Sequence, residues 1–166
     1  PSGEGAIEIN ASAPMPLFDQ QLRRAAAAFD QWNAGSDRRD VLVRAAAGAR
    51  DETADVFRRA VSLYAEHLDE TLDLPGPTGE SNTLRLKGRG VVLCLGGGSE
   101  AANRRQLAMA LAAGNAIVAL QPLADKVAEA LAAAGAPTHL VVSLPAGAAV
   151  NEAAILDPRI RAVAFD

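Results

Sequence analysis

The sequence predicts an α/β protein: an incomplete Rossmann-like, mainly parallel sheet flanked by helices and preceded by an α-helical arm. Three observations carry this. An Ala/Leu helix stops at Gly114-Asn115 and the apolar strand 116–120 follows at once. A second helix then leads to a strand at 140–144, and a third round closes on 160–165. Strand and helix alternating in this way specify a doubly wound sheet. Asp166 stands where the next turn would open a helix, and Pro1-Ser2-Gly3-Glu4-Gly5 stands at the front without a Met. Both lead us to expect a piece of a longer polypeptide.

Composition fits that architecture. Hydrophobic residues make up 49% of the 166 and aromatics 4%, so Ala, Leu and Val must fill the core, a set suited to helices lying close on a sheet. The net charge of −4 argues against a nucleic-acid-binding surface. Arginine pairs do occur, at Arg23-Arg24, Arg38-Arg39, Arg58-Arg59 and Arg104-Arg105, but acids lie near most of them, which fits solvated helix faces. The single cysteine, Cys94, excludes an internal disulfide and sits in an apolar run, so we expect a small buried core residue. No apolar stretch approaches the length of a membrane span, and no signal peptide is visible.

Along the chain, residues 1–16 form an extended segment in which Pro14 and Pro16 forbid a helix, and Ile7 and Ile9 could add a short strand. Residues 17–73 form the helical arm. Phe18, Leu22, Ala25, Phe29 and Trp32 recur at helical spacing on one face. Gly35 closes that helix, and Ser36 or Asp37 caps a second, carrying Val41, Leu42 and Ala45. A third run, read as a separate helix or as a continuation of the second, presents Val56, Phe57, Ala60, Val61, Tyr64, Leu68 and Leu72. Residues 74–89 are a Pro/Gly connector with a short strand at 83–86. Residues 90–166 are the Rossmann-like half-domain: strand 91–95, helix 99–113 capped by Ser99, strand 116–120, helix 123–134, strand 140–144, a short helix near 150–156 and strand 160–165. Gly114 and Gly135 stand where helix C-termini need a left-handed residue.

The sharpest candidate site is the glycine turn Gly96-Gly97-Gly98-Ser99. Gly96, Gly98 and Ala101 satisfy a G-x-G-x-x-A dinucleotide fingerprint between a strand and a helix, where amides and the helix dipole can hold a pyrophosphate. The fingerprint also wants an acid at the end of the following strand, and Leu120-Gln121-Pro122 stands there instead. A tight structural turn is therefore the reading we prefer, with the four turn residues as weak cofactor candidates and a nucleotide-binding regulatory domain as the alternative. No catalytic set emerges. Cys94 has no histidine near it in sequence, and Ser99 lacks a nucleophile-elbow pattern. Glu80, Glu100 and Glu152 are single acids on turns or helix starts. His67 and His139 have no second ligand nearby, so no metal site is expected.

These residues carry a resemblance. Gly90-Val91-Val92, then Ala110 to Asn115 followed by Ile117-Val118, resemble the first strand and the helix-to-strand junction of the aldehyde dehydrogenase superfamily. Leu140-Val141-Val142, Pro145-Ala146-Gly147 and Asp157 to Phe165 are similar to its next two rounds. Against that pattern, Ser99 falls where the family places its oxyanion-hole Asn, and Gly97-Gly98 replaces the Pro-Trp before it. Ala119-Leu120-Gln121 lacks the ribose-gripping Lys, and Phe165 is followed by Asp166 rather than Gly-Ser.

A narrower resemblance joins Leu74-Pro75-Gly76-Pro77-Thr78-Gly79-Glu80, Val92 to Leu95 and the helix Leu22-Arg23…Trp32. Together they look like the C-terminal region of bifunctional proline utilisation A flavoenzymes. That resemblance implies a non-catalytic domain packed on upstream dehydrogenase domains of the same polypeptide, covering the path of a channelled intermediate. It implies no cofactor in this segment, FAD and NAD in the parent, a cytoplasmic place (or a parent peripheral at the inner membrane), and a homo-oligomeric parent as one option. The stripe Phe18, Phe29 and Trp32 would then serve the contact with the upstream domains.

Overall fold

The computed structural model describes residues 15–35, 37–67, 71–96, 99–144 and 155–165. Three helices come first: α1 (Met15–Ala34), α2 (Arg38–Gly48) and α3 (Asp51–His67). A hairpin of β1 (Leu72–Leu74) and β2 (Asn82–Leu84) follows. The remainder alternates as β3 (Val91–Cys94), α4 (Glu100–Ala112), β4 (Ala116–Leu120), α5 (Leu123–Ala133), β5 (Val141–Leu144) and β6 (Ile160–Ala164).

The last four strands form one parallel sheet in the order β5-β4-β3-β6. The chain starts in the middle, steps outward through β4 to β5, then crosses back to lay β6 on the far side of β3. That is the Rossmann-like α/β sheet read from the sequence. Strand β3 is buried at all four residues and β4 at its first four, which requires cover on both faces. Right-handed crossovers put α4 and α5 on one face. Helix α1 lies against β3, β4 and β5 and covers the other, while α2 and α3 pack outside α4 and α5.

The helical segment is therefore built into the domain, and one expectation needs correcting. Leu22, Ala25 and Trp32 are buried against the sheet, with Phe18 and Phe29 partly buried beside them. Trp32 is consumed inside this chain rather than held for a partner, while Phe18 and Phe29 pack on the same core with part of their surface exposed. Periodicity finds an apolar face but not its occupant.

Both glycine helix ends take the expected form. Gly114 has φ +78° and Gly135 φ +88°. Asn115 N–H donates to Ala110 O at 3.0 Å and Gly114 N–H to Leu111 O at 2.9 Å, and Ala136 and Gly135 repeat the pattern on Leu131 and Ala132. These paired bonds close the last turn of each helix and aim the chain into its strand. At other boundaries the structure differs. Asp37 occupies the N-cap of α2, but its side chain makes no capping bond. Helices α2 and α3 are separate, divided where Ala49 is extended and Asp51 has φ +52°. Strand β1 begins within the stretch expected to be helical to residue 73, at Leu72, and β2 begins one residue before the expected 83. The strand considered at Ile7 and Ile9, and most of the short helix near 150–156, lie outside the described residues.

Candidate functional site

In open α/β sheets, ligand sites lie beyond the carboxyl ends of the strands where the strand order reverses. Here that place is between β3 and β6, directly above Cys94 and Ala164. Leu95 N–H still donates to Ala164 O at 3.0 Å, so the two strands stay joined one residue past β3. The glycine turn begins next.

Gly96 has φ +86°, and a Cβ there would run into Asn103 Oδ1 of α4. Its N–H donates to Gln106 Oε1 at 3.1 Å, and Gln106 is only 7% exposed. The first amide of the turn is thus already occupied by the chain's own side chain. Gln106 Nε2 is buried and has no partner among the described residues. Gly97 and Gly98, the middle of the fingerprint, lie outside the described residues. Ser99 caps α4 as expected: its Oγ accepts from Ala102 N–H at 3.1 Å, and its carbonyl accepts from Asn103 N–H at 3.1 Å. One of the amides left over at the start of α4, that of Ala102, is therefore satisfied locally, and the Asn103 bond is the first regular bond of the helix. At the end of β4, Gln121 N–H donates to Leu144 O at 2.9 Å, and the neighbouring Leu120 and Pro122 bring no charged group.

Cys94 is 3% exposed in the centre of the sheet. Burial pushes its thiol up to about 12, so it stays protonated at neutral pH and is a poor nucleophile. His139 is exposed, and the side chain of His67 is outside the described set. Among the described residues no three His, Cys, Asp or Glu side chains gather as a metal group would require. No helix among them is long and apolar enough to cross a membrane.

Sequence reasoning missed the residues that lock the opposite end of the sheet. Asn115, 6% exposed, accepts through Oδ1 from Arg89 N–H at 2.7 Å and Gly90 N–H at 3.3 Å, and its Nδ2 donates to Ala110 O at 3.4 Å. One amide side chain thus ties the entry to β3 to the end of α4. Gly88 lies so close to the Gly114 backbone that a Cβ would stand 2.7 Å from its carbonyl carbon. Arg38 packs against Gly114, with its guanidinium 6.0 Å from the Tyr64 ring centroid. Before β6, Arg159 donates to Asp157 at 2.6 Å and 2.9 Å and to Asp19 of α1 at 2.7 Å. The hydrogen bond from Arg159 holds the Asp157 carboxyl below the ordinary carboxylate value, and the same pairing raises Arg159. The helix-to-strand motif around Gly114-Asn115 was the one sequence signal that marked this region.

Comparison with known proteins follows the fold. The model of the aldehyde dehydrogenase family matches residues 42–166. No curated protein matches the sequence itself. A structure of proline utilization A with proline bound in remote sites superposes with a TM-score of 0.74 at 24% identity, over 93% of this chain and 19% of that one. A variant of Bradyrhizobium japonicum proline utilization A gives 0.74 and 24%, over 92% and 19%. A salicylaldehyde dehydrogenase from Pseudomonas putida, complexed with salicylaldehyde, gives 0.71 and 20%, over 92% and 39%. At these identities the likeness is one of fold, and the chain spans about a fifth of the proline utilization A chains. Since the family model takes in most of α2 and everything after it, including all four parallel strands, the chain belongs to the aldehyde dehydrogenase family.

Proposed function

We propose that this chain forms a non-catalytic aldehyde-dehydrogenase-type domain of a bifunctional enzyme that converts proline to glutamate. In this reading it braces the semialdehyde dehydrogenase domain of the same polypeptide and closes the path of the channelled intermediate. FAD and NAD belong to the upstream domains. The observation that carries the reading is the internal use of the Gly96 amide, which is bound to Gln106, with Ser99 Oγ capping the Ala102 amide at the start of α4. Gln121 at the end of β4, where a ribose-binding group is needed, supports the reading that this chain holds no dinucleotide. Cys94 adds support, since a buried protonated thiol has no route to a carbonyl. Leu156 and Phe165, both largely exposed beside β6, offer apolar surface for the upstream contact.

Titrating the chain with NAD in a calorimeter tests this directly. We expect no saturable heat. Saturable binding that disappears in Gly98→Val would sink the proposal. It would favour a nucleotide-binding regulatory domain, a reading that draws on the unpartnered buried donor Gln106 Nε2 beside the turn.

A further inference from the structure

The hairpin that precedes the parallel sheet carries an apolar face that nothing among the described residues covers. Leu72 stands opposite Leu84. Leu74 follows two residues after Leu72, and Leu86 two residues after Leu84, so strand alternation sets four leucines on one face of the ribbon. Each is between 44% and 53% exposed. Asp73, Thr83 and Arg85 alternate onto the other face. Among the described residues, neither outer edge of the hairpin is paired. A two-stranded ribbon with three residues to a strand is at best marginal in water, and its open edge is a template for a further strand.

The sequence holds a segment that fits this edge. Residues 6–10, outside the described set, contain no proline, and Ile7 and Ile9 alternate with the polar Glu8 and Asn10. Laid beside β2 as a strand, they set both isoleucines on the leucine face and Glu8 on the face of Arg85. Beside β1, Glu8 would meet Asp73 instead, so charge selects the β2 edge. The tether has a suitable length. Helix α1 begins at Met15, and its Asp19 accepts from Arg159, the residue before β6. Strand β6 opens with Ile160 opposite Val91, so the start of α1 and the entry to β3 share one rim of the sheet. Residues 11–14 span at most about 14 Å and residues 86–91 about 17 Å, which lets the segment and β2 meet beside that rim. A second copy of the chain is a poorer occupant. Four half-exposed leucines fall well short of the roughly 800 Å² that each partner gives to a stable dimer.

We propose that residues 6–10 add to the outer edge of β2 as a third strand and pack Ile7 and Ile9 against Leu84 and Leu86. The contact lies within one copy of the chain and does not depend on the function proposed above.

Amide hydrogen exchange on the 166-residue chain, read residue by residue by NMR, tests this. Amides in 6–10 and 82–86 are expected to be protected together, at a level independent of protein concentration. Ile7→Lys combined with Ile9→Lys should lower protection at 82–86 roughly tenfold or more while β3 and β4 stay unchanged, which separates loss of the contact from loss of the fold. Glu8→Arg should lower it severalfold, and Arg85→Glu in the same chain should restore it. Four results would each overturn the proposal: no protection at 82–86 in the unaltered chain, protection that survives both isoleucine substitutions, protection that rises with protein concentration as a second copy would require, or failure of Arg85→Glu to restore it.

Discussion

The two ends of the parallel sheet are built differently. At the N-terminal end of β3 and β4, backbone meets backbone: Gly88 touches Gly114, Asn115 bridges two loops and a helix end, and Arg38 packs beneath them. At the C-terminal end the described residues are joined by hydrogen bonds, Leu95 to Ala164, Gly96 to Gln106 and Gln121 to Leu144. We expect stability to be concentrated at the first rim, where backbone touches backbone, rather than at the rim where α/β sheets bind ligands.

That contrast can be broken in order of expected effect. Gly88→Ala should be the most damaging single change, because its Cβ meets rigid backbone at Gly114, and about 3 kcal/mol of stability should be lost in urea unfolding. Asn115→Ala strands the Arg89 and Gly90 amides in a buried place and should cost about 2 kcal/mol by the same measurement. Gly96→Ala, at the other rim, forces a left-handed alanine against the Asn103 side chain, which can turn aside. About 1.5 kcal/mol is expected there. If Gly96→Ala proves costlier than Gly88→Ala, the asymmetry between the ends is wrong.

The smallest effect depends on pH. Asp157 has a carboxyl pKa held below its ordinary 3.8 by Arg159, so its contribution is complete above that value and is lost as pH falls through the depressed one. Asp157→Asn should cost about 1 kcal/mol at pH 7, and the gap from the unaltered chain should close in acid below about pH 4. A gap that stays constant down to pH 2 would show that the Asp157 carboxylate charge is not what supports Arg159.

Much of the fold was legible because its signals are local. Gly114 and Gly135 end helices by backbone conformation alone, and the runs at β3 and β4 are apolar because both sheet faces are covered there. Ser99 announced itself as a cap for the same reason. What escaped was non-local. Nothing near Asn115 in sequence says that its amide will reach residues 89 and 90. Trp32 shows the limit most clearly: its helical spacing marked an apolar face, but whether that face met a sheet or another domain was undecidable from periodicity. The glycine turn was correctly located between strand and helix, yet the amide donated to Gln106 depends on a side chain ten residues away.

Cys94 has one more consequence. The chain's sole sulfhydryl sits in the middle strand, shut off from solvent and protonated. A thiol reagent added to the intact protein can react only while β3 is transiently uncovered, so its rate of modification is a built-in clock for the opening of the sheet.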